Sequence, residues 1–85
     1  MPTYAATVRV SLRPSVLDPA GEAARACAAR LGVCRIHKLR IGKAIEICLD
    51  AESEASARQQ LELLSDRLLA NPVIENWDLE LHEVR

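Results

Sequence analysis

The stretch Leu68-Leu69-Ala70-Asn71-Pro72-Val73-Ile74-Glu75 constrains the fold more than any other part of this chain. Proline has no backbone N–H and disfavours the α conformation in the residue before it. A helix arriving from the N-terminal side must therefore finish near Ala70 or Asn71, and the chain must leave extended into an apolar strand. The segment is a shaped joint between two elements and carries no catalytic chemistry of its own.

The 85 residues make one domain, read here as spanning 1–85, with no linker or low-complexity segment to divide it. A domain of this size buries only about 60% of its unfolded surface, so a deep private active-site cleft is not expected and oligomerisation is a usual source of added stability. Net charge is −1, which excludes the basic excess of a nucleic-acid binder. Phe is absent, and Tyr4 and Trp77 are the only aromatics, so the stacking platforms of single-strand binders are missing as well. No apolar run reaches the roughly 18 residues of a membrane span, and the N-terminus lacks signal-peptide regions. Cys27, Cys34 and Cys48 are odd in number and lack Cys-x-x-Cys spacing, which fits a reducing compartment. These features point to the cytoplasm, with the cysteines as small buried apolar residues.

Residues 4–12 alternate, with Tyr4, Ala6, Val8, Val10 and Leu12 on one face, as in a strand covered on one side. Asp18-Pro19 combines an N-cap carboxylate with proline at the first helical position, so a helix is expected from Pro19 to about Leu31, ended by Gly32. Its buried stripe would be Ala20, Ala23, Ala24, Cys27 and Leu31. Residues 33–41 read as a strand with a bulge near position 37, where a period of two fails. Residues 44–49 alternate again, which predicts an antiparallel hairpin turning at Gly42-Lys43. Ser53 caps a second helix to about Leu69 through Ala57, Leu61, Leu64 and Leu68, and a last strand carries Trp77, Leu79 and Leu81.

Strand, helix, strand, strand, helix, strand is a doubled βαβ. The fold class expected is α+β, ferredoxin-like βαββαβ, a four-stranded antiparallel sheet with two helices on one face. Arg25, Arg30, Arg35, Lys38, Arg40 and Lys43 occur with no acid among them, whereas the last strand holds Glu75, Asp78, Glu80 and Glu83. One sheet edge would thus be basic and the other acidic, serving either as solvated guards against strand pairing or as docking surfaces that select a partner.

Catalytic patterns fail one after another. A phosphate loop ending at Gly42-Lys43 would need glycine at His37 and a hydroxyl at Ala44. His37 and His82 have no partner at metal-ligand spacing, so no metal site is expected. None of the serines lies in a G-x-S-x-G elbow, and Glu46 with Glu75 is an acid–base pair only by chance in a chain of 12 acidic residues. A small-molecule-binding regulatory domain of ferredoxin-like topology remains the alternative, because such modules bind ligands between subunits without strong motifs.

Three blocks carry a more specific signal: Leu12-Arg13-Pro14-Ser15-Val16-Leu17-Asp18-Pro19-Ala20-Gly21, Leu39-Arg40-Ile41-Gly42-Lys43-Ala44-Ile45-Glu46, and the Leu68–Glu75 joint. In this order and spacing the chain resembles the PurS family, the small subunit of phosphoribosylformylglycinamidine (FGAM) synthase. It departs at Arg13-Pro14-Ser15, Ala44 and Asn76-Trp77, where the family more often has Lys-Pro-Gly, an aromatic residue and Asp-Tyr. The resemblance implies a non-catalytic adaptor in de novo purine biosynthesis, joining a glutaminase subunit to an ATP-dependent synthetase subunit and supporting ammonia transfer. It implies no cofactor on this chain, with ATP and Mg on the synthetase, in a glutamine-dependent C–N ligase. Whether the isolated chain has activity is left open by its sequence. A homodimer or tetramer is expected, with neither nucleic acid nor membrane as partner. Arg13, Lys43, Asn71 and Glu75 are the candidate subunit contacts, whereas Asp18, Pro19 and Gly32 are structural.

Overall fold

A computed structural model describes residues 1–84. Strand β1 (Thr3–Leu12) is followed by helix α1 (Pro19–Arg30), strand β2 (Lys43–Asp50), helix α2 (Glu54–Leu64), which runs on through a π-helical turn (Ser65–Leu69), and strand β3 (Glu75–Val84). The sheet is antiparallel in the order β2-β1-β3. Alternation in β1 places Tyr4, Ala6, Val8 and Val10 in the core at 5% exposure or less, while Ala5, Thr7 and Arg9 face away.

The sheet has three strands rather than the expected four. Residues 33–42 form no ladder, so the hairpin at Gly42-Lys43 does not exist. β1 is paired on both edges, by β2 in the register Val8↔Ile45 and by β3 in the register Val8↔Leu79, so the place left for a fourth strand is the outer edge of β2, which residues 33–42 leave open. The segment is instead tied down by irregular bonds: Asp18 accepts from the Ile41 N–H at 2.8 Å, and the Arg25 and Arg40 guanidinium groups donate to the Ile36 and Arg13 carbonyls. Gly42 is not a turn glycine. A Cβ there would lie 2.6 Å from the Val10 carbonyl oxygen, so its role is to let the incoming chain touch β1 as β2 begins.

Helix α2 covers the sheet. Ser53 caps it by accepting from Ser56 N–H at 3.1 Å, and Ala57 and Leu61 are buried. Leu68 was expected on the same stripe but is 72% exposed. The π turn inserts an extra residue into the helical period, so Ser65 is buried, bonding back to the Leu61 carbonyl, and Leu69 rather than Leu68 packs with Val8, Val10 and Ala70. Tyr4, Ala51 and Ala57, with Leu49 and Leu81, make the second part of the core.

Helix α1 starts and stops as its sequence dictates, with Asp18 capping Gly21 N–H at 3.0 Å and Gly32 at φ 89°. Its position differs from expectation. It packs neither on the sheet nor against α2, and Ala20, Ala23, Cys27 and Leu31 of the anticipated buried stripe are exposed. Of the two helices, only α2 therefore seats on the sheet. Cys27, Cys34 and Cys48 are all exposed free thiols, contrary to the buried role expected of them. The apolar stripe on α1 was legible, but among the described residues it is left largely uncovered, with only Ala24 of the stripe half-buried.

Candidate functional site

The ends of all three strands meet at one corner, and the four candidate residues gather there. Arg13 lies just past β1, Lys43 opens β2, Glu75 opens β3 and Asn71 starts the joint that leads into it. The backbone N–H of Arg13 donates to the Ile74 carbonyl at 2.8 Å and its guanidinium donates to the Pro72 carbonyl at 2.6 Å, clasping the joint against β1. Asn71 shapes the joint from within: its side-chain oxygen accepts from Val73 N–H at 3.1 Å, a local turn typical of Asn. Glu75 closes the loop, accepting from Asn71 N–H at 2.7 Å through one carboxylate oxygen, while the other lies 4.0 Å from Lys43 Nζ.

These bonds decide what each side chain has left to offer. The Glu75 side chain is 16% exposed and fully engaged, so it holds the corner rather than reaching outward. Lys43 is 60% exposed at the far end of a long ion pair and is the freest charge of the four. In the adjoining joint, Leu68 and Val73 are more than 70% exposed and Ile74 37%, and a hollow of about 300 Å³ is lined by Arg13, Asp66, Pro72 and Trp77. Arg40 belongs to the corner too, because its guanidinium donates to the Arg13 carbonyl at 2.9 Å. Sequence reasoning counted Arg40 only as charge, and a side chain bonding a distant carbonyl leaves no sequence pattern. The exposed Leu68, Val73 and Ile74 were equally hidden, since apolar residues flanking a turn read as core.

Behind the corner, Asp18 locks the base of α1. Its two carboxylate oxygens accept separately from Gly21 and Ile41 N–H, and these bonds, led by the one from Ile41, hold its pKa below the ordinary aspartate range. Its place in the fold is structural, as its sequence position implies. On the opposite face of the sheet, Cys48 and His82 flank Ala5 from either side. Among the described residues, no group of three or more His, Cys, Asp or Glu side chains is arranged to hold a metal ion. The corner offers hydrogen-bonding backbone, the exposed ammonium of Lys43 and apolar surface, which is the chemistry of recognition.

A family model for PurS, described as phosphoribosylformylglycinamidine (FGAM) synthase, matches residues 5–83. The chain belongs to the PurS family. It is 49% identical over 79 residues to the PurS subunit of FGAM synthase from Synechocystis, covering 93% of this chain and 79% of that one. The crystal structure of Methanocaldococcus jannaschii PurS, described as one of the subunits of formylglycinamide ribonucleotide amidotransferase in the purine biosynthetic pathway, superposes with a TM-score of 0.84 at 29% identity. That match covers 96% of this chain and 99% of the other. A chain in the structure of PurLQS from Thermotoga maritima superposes with a TM-score of 0.85 at 31% identity, covering 99% of this chain and 100% of that one. The PurS likeness thus spans both the corner and the α1 segment.

Proposed function

We propose that this chain is the small, non-catalytic adaptor subunit of FGAM synthase, joining a glutaminase subunit to an ATP-dependent synthetase subunit and supporting ammonia transfer between them. The observation that carries the reading is its full-length likeness to a chain of the Thermotoga maritima PurLQS structure. The physical need is plain. Ammonia released in one protein is protonated or lost to water before it reaches a second active site, so the two sites must be held in register. A small rigid subunit meets that need through surface alone. ATP and Mg belong, in this reading, to the synthetase.

Arg13, Lys43, Asn71 and Glu75 have divided roles in the proposal. Arg13, Asn71 and Glu75 stiffen the corner, and Lys43 with exposed Leu68, Val73 and Ile74 meets a partner subunit. Apolar surface rimmed by a cation is the usual make-up of such contacts. The chain acts in the cytoplasm as a homodimer or tetramer, consistent with having no helix among its described residues long and apolar enough to cross a membrane. Co-expression with tagged glutaminase and synthetase subunits tests the adaptor role. The reading predicts one complex containing all three, and a glutaminase–synthetase complex of equal yield formed without this chain would contradict it.

A further inference from the structure

Joining two proteins takes two surfaces, and the corner is one. The far end of α1 presents another, of different chemistry. Helix α1 starts beside Asp18, behind the corner, and its 12 residues at about 1.5 Å each carry its other end about 18 Å away. There the chain turns at Gly32 and comes back to Gly42 in an irregular path. The helix and this return segment make an arm whose tip is residues 30–38.

Charge sets the tip apart. From Ala23 to Ile45 the chain holds Arg25, Arg30, Arg35, Lys38, Arg40 and Lys43 and none of its 12 acidic residues. Lys43 belongs to the corner, and two more of these cations serve the fold: Arg25 donates to the Ile36 carbonyl and pairs with Glu22, and Arg40 donates to the Arg13 carbonyl. Arg30, Arg35 and Lys38 do neither. All three are exposed, and among the described residues their side chains have no hydrogen-bond or ion-pair partner. Arg30 gains from the carbonyl end of α1, but Arg35 and Lys38 lie beyond it. Like charges gathered on so short a segment raise one another's energy, and an anionic surface relieves them.

The same segment offers an anchor point. Leu31 is 85% exposed and Val33 54%, and a cleft of about 220 Å³ between α1 and the return segment is lined by Glu22, Arg25, Ala26, Ala29, Val33 and Ile36. Small-molecule sites begin near 300 Å³, so the cleft is sized for one protruding side chain of a protein rather than for a cofactor. The bonds from Asp18 to Ile41 and from Arg25 to Ile36 hold the return segment in place, which lowers the cost of ordering it on binding. We propose that the arm tip, through Arg30, Arg35 and Lys38 around this cleft, docks on an acidic surface of the partner subunit that the corner does not hold. Apolar anchoring within a charged rim gives such a contact its affinity, and the cations select the acidic face. This deepens the adaptor reading above and rests on it.

Titrating the full chain against the purified glutaminase and synthetase subunits, together and singly, tests the proposal by gel filtration, with sedimentation of the chain alone as a control. The double variant Arg35→Glu, Lys38→Glu reverses two exposed charges that make no bond within the fold, and circular dichroism confirms that it is folded. It should bind one partner at least about ten-fold more weakly and keep the other at native yield, and the partner lost should differ from the one that Lys43→Glu weakens. Native affinity for that partner should fall about ten-fold between 50 mM and 500 mM NaCl. Arg58→Glu, a reversal on the exposed face of α2, should change neither affinity by more than about two-fold. A native chain that binds neither subunit would overturn the adaptor reading itself. Native binding that the double variant leaves intact, that it loses for both partners, or that it loses for the partner held by the corner would overturn the arm contact alone. So would a double variant whose own oligomeric state changes, since its cations would then face a second copy of the chain.

Discussion

The Asp18 carboxylate accepts from the Ile41 backbone N–H at 2.8 Å, joining the start of α1 to the residue that leads into β2. The same carboxylate caps Gly21, so one side chain ties the first turn of α1 to the end of the segment that returns to β2. Asp18 is 4% exposed, and its two bonds use different oxygens. An amide in its place keeps one acceptor and puts an NH₂ against an N–H at the other position.

Asp18→Asn is therefore expected to lower the midpoint of thermal unfolding at pH 7 by roughly 5–10 °C, the scale of losing a helix cap in a domain this small. Because the folded-state pKa lies below the unfolded value near 4, the carboxylate contributes stability above that pH and loses it as pH falls through the folded value. The gap between native and variant melting temperatures should thus shrink from pH 5 to pH 2, measured by circular dichroism. Parallel curves over that range would mean Asp18 is not the acid-sensitive group.

Gly21→Ala reverses a usual rule. Alanine in a helix is ordinarily more stable than glycine by about 1 kcal/mol. Here the new Cβ would lie 2.5 Å from both Asp18 Oδ2 and the Leu39 carbonyl oxygen, and the latter is backbone. Denaturant titration should find the variant less stable, and a stabilised one would show that the Leu39 backbone gives way at the start of α1.

The π turn makes neighbouring leucines unequal. Leu69→Ala removes contacts with the Val8 and Val10 core and should destabilise by about 1–3 kcal/mol, whereas Leu68→Ala should fall within about 0.5 kcal/mol of the native chain. Leu61→Ala, fully buried, sets the upper reference at about 2–5 kcal/mol. Urea midpoints measure all three, and an equal loss at Leu68 and Leu69 would restore a regular α-helix through residue 69.

Lys43→Glu should leave folding almost unchanged, because the native ion pair is long and exposed. If Lys43 meets a partner subunit, the reversal should weaken copurification with the synthetase about ten-fold or more. An unchanged yield would remove Lys43 from the contact.

Local signals were readable in the sequence, and those that depend on competition or on partners were not. Asp18-Pro19, Gly32, Ser53 and Asn71-Pro72 each act within a few residues, and each marks its element boundary as expected. The alternation of Tyr4, Ala6, Val8 and Val10 likewise names the core strand. Residues 33–41 have a strand-like pattern, but whether they add to the free edge of β2 is a contest with the bonds from Asp18, Arg25 and Arg40 that hold this region in an irregular path. The stripe on α1 announces that something must cover it but not which molecule does. Ser65, polar in a helical stripe, was the one local hint of the π turn. At the corner, the Asn-Pro joint was visible by its chemistry, while the clasp by Arg13 and Arg40 joins residues far apart in sequence.

The adaptor role is tested most directly by assaying the purified glutaminase and synthetase subunits with and without this chain, in parallel with glutamine and with added ammonia as nitrogen source. The account predicts that omitting the chain abolishes glutamine-dependent FGAM formation while ammonia-dependent formation persists, because the chemistry resides in the synthetase and only the delivery is lost. Full glutamine-dependent turnover in its absence would contradict the account.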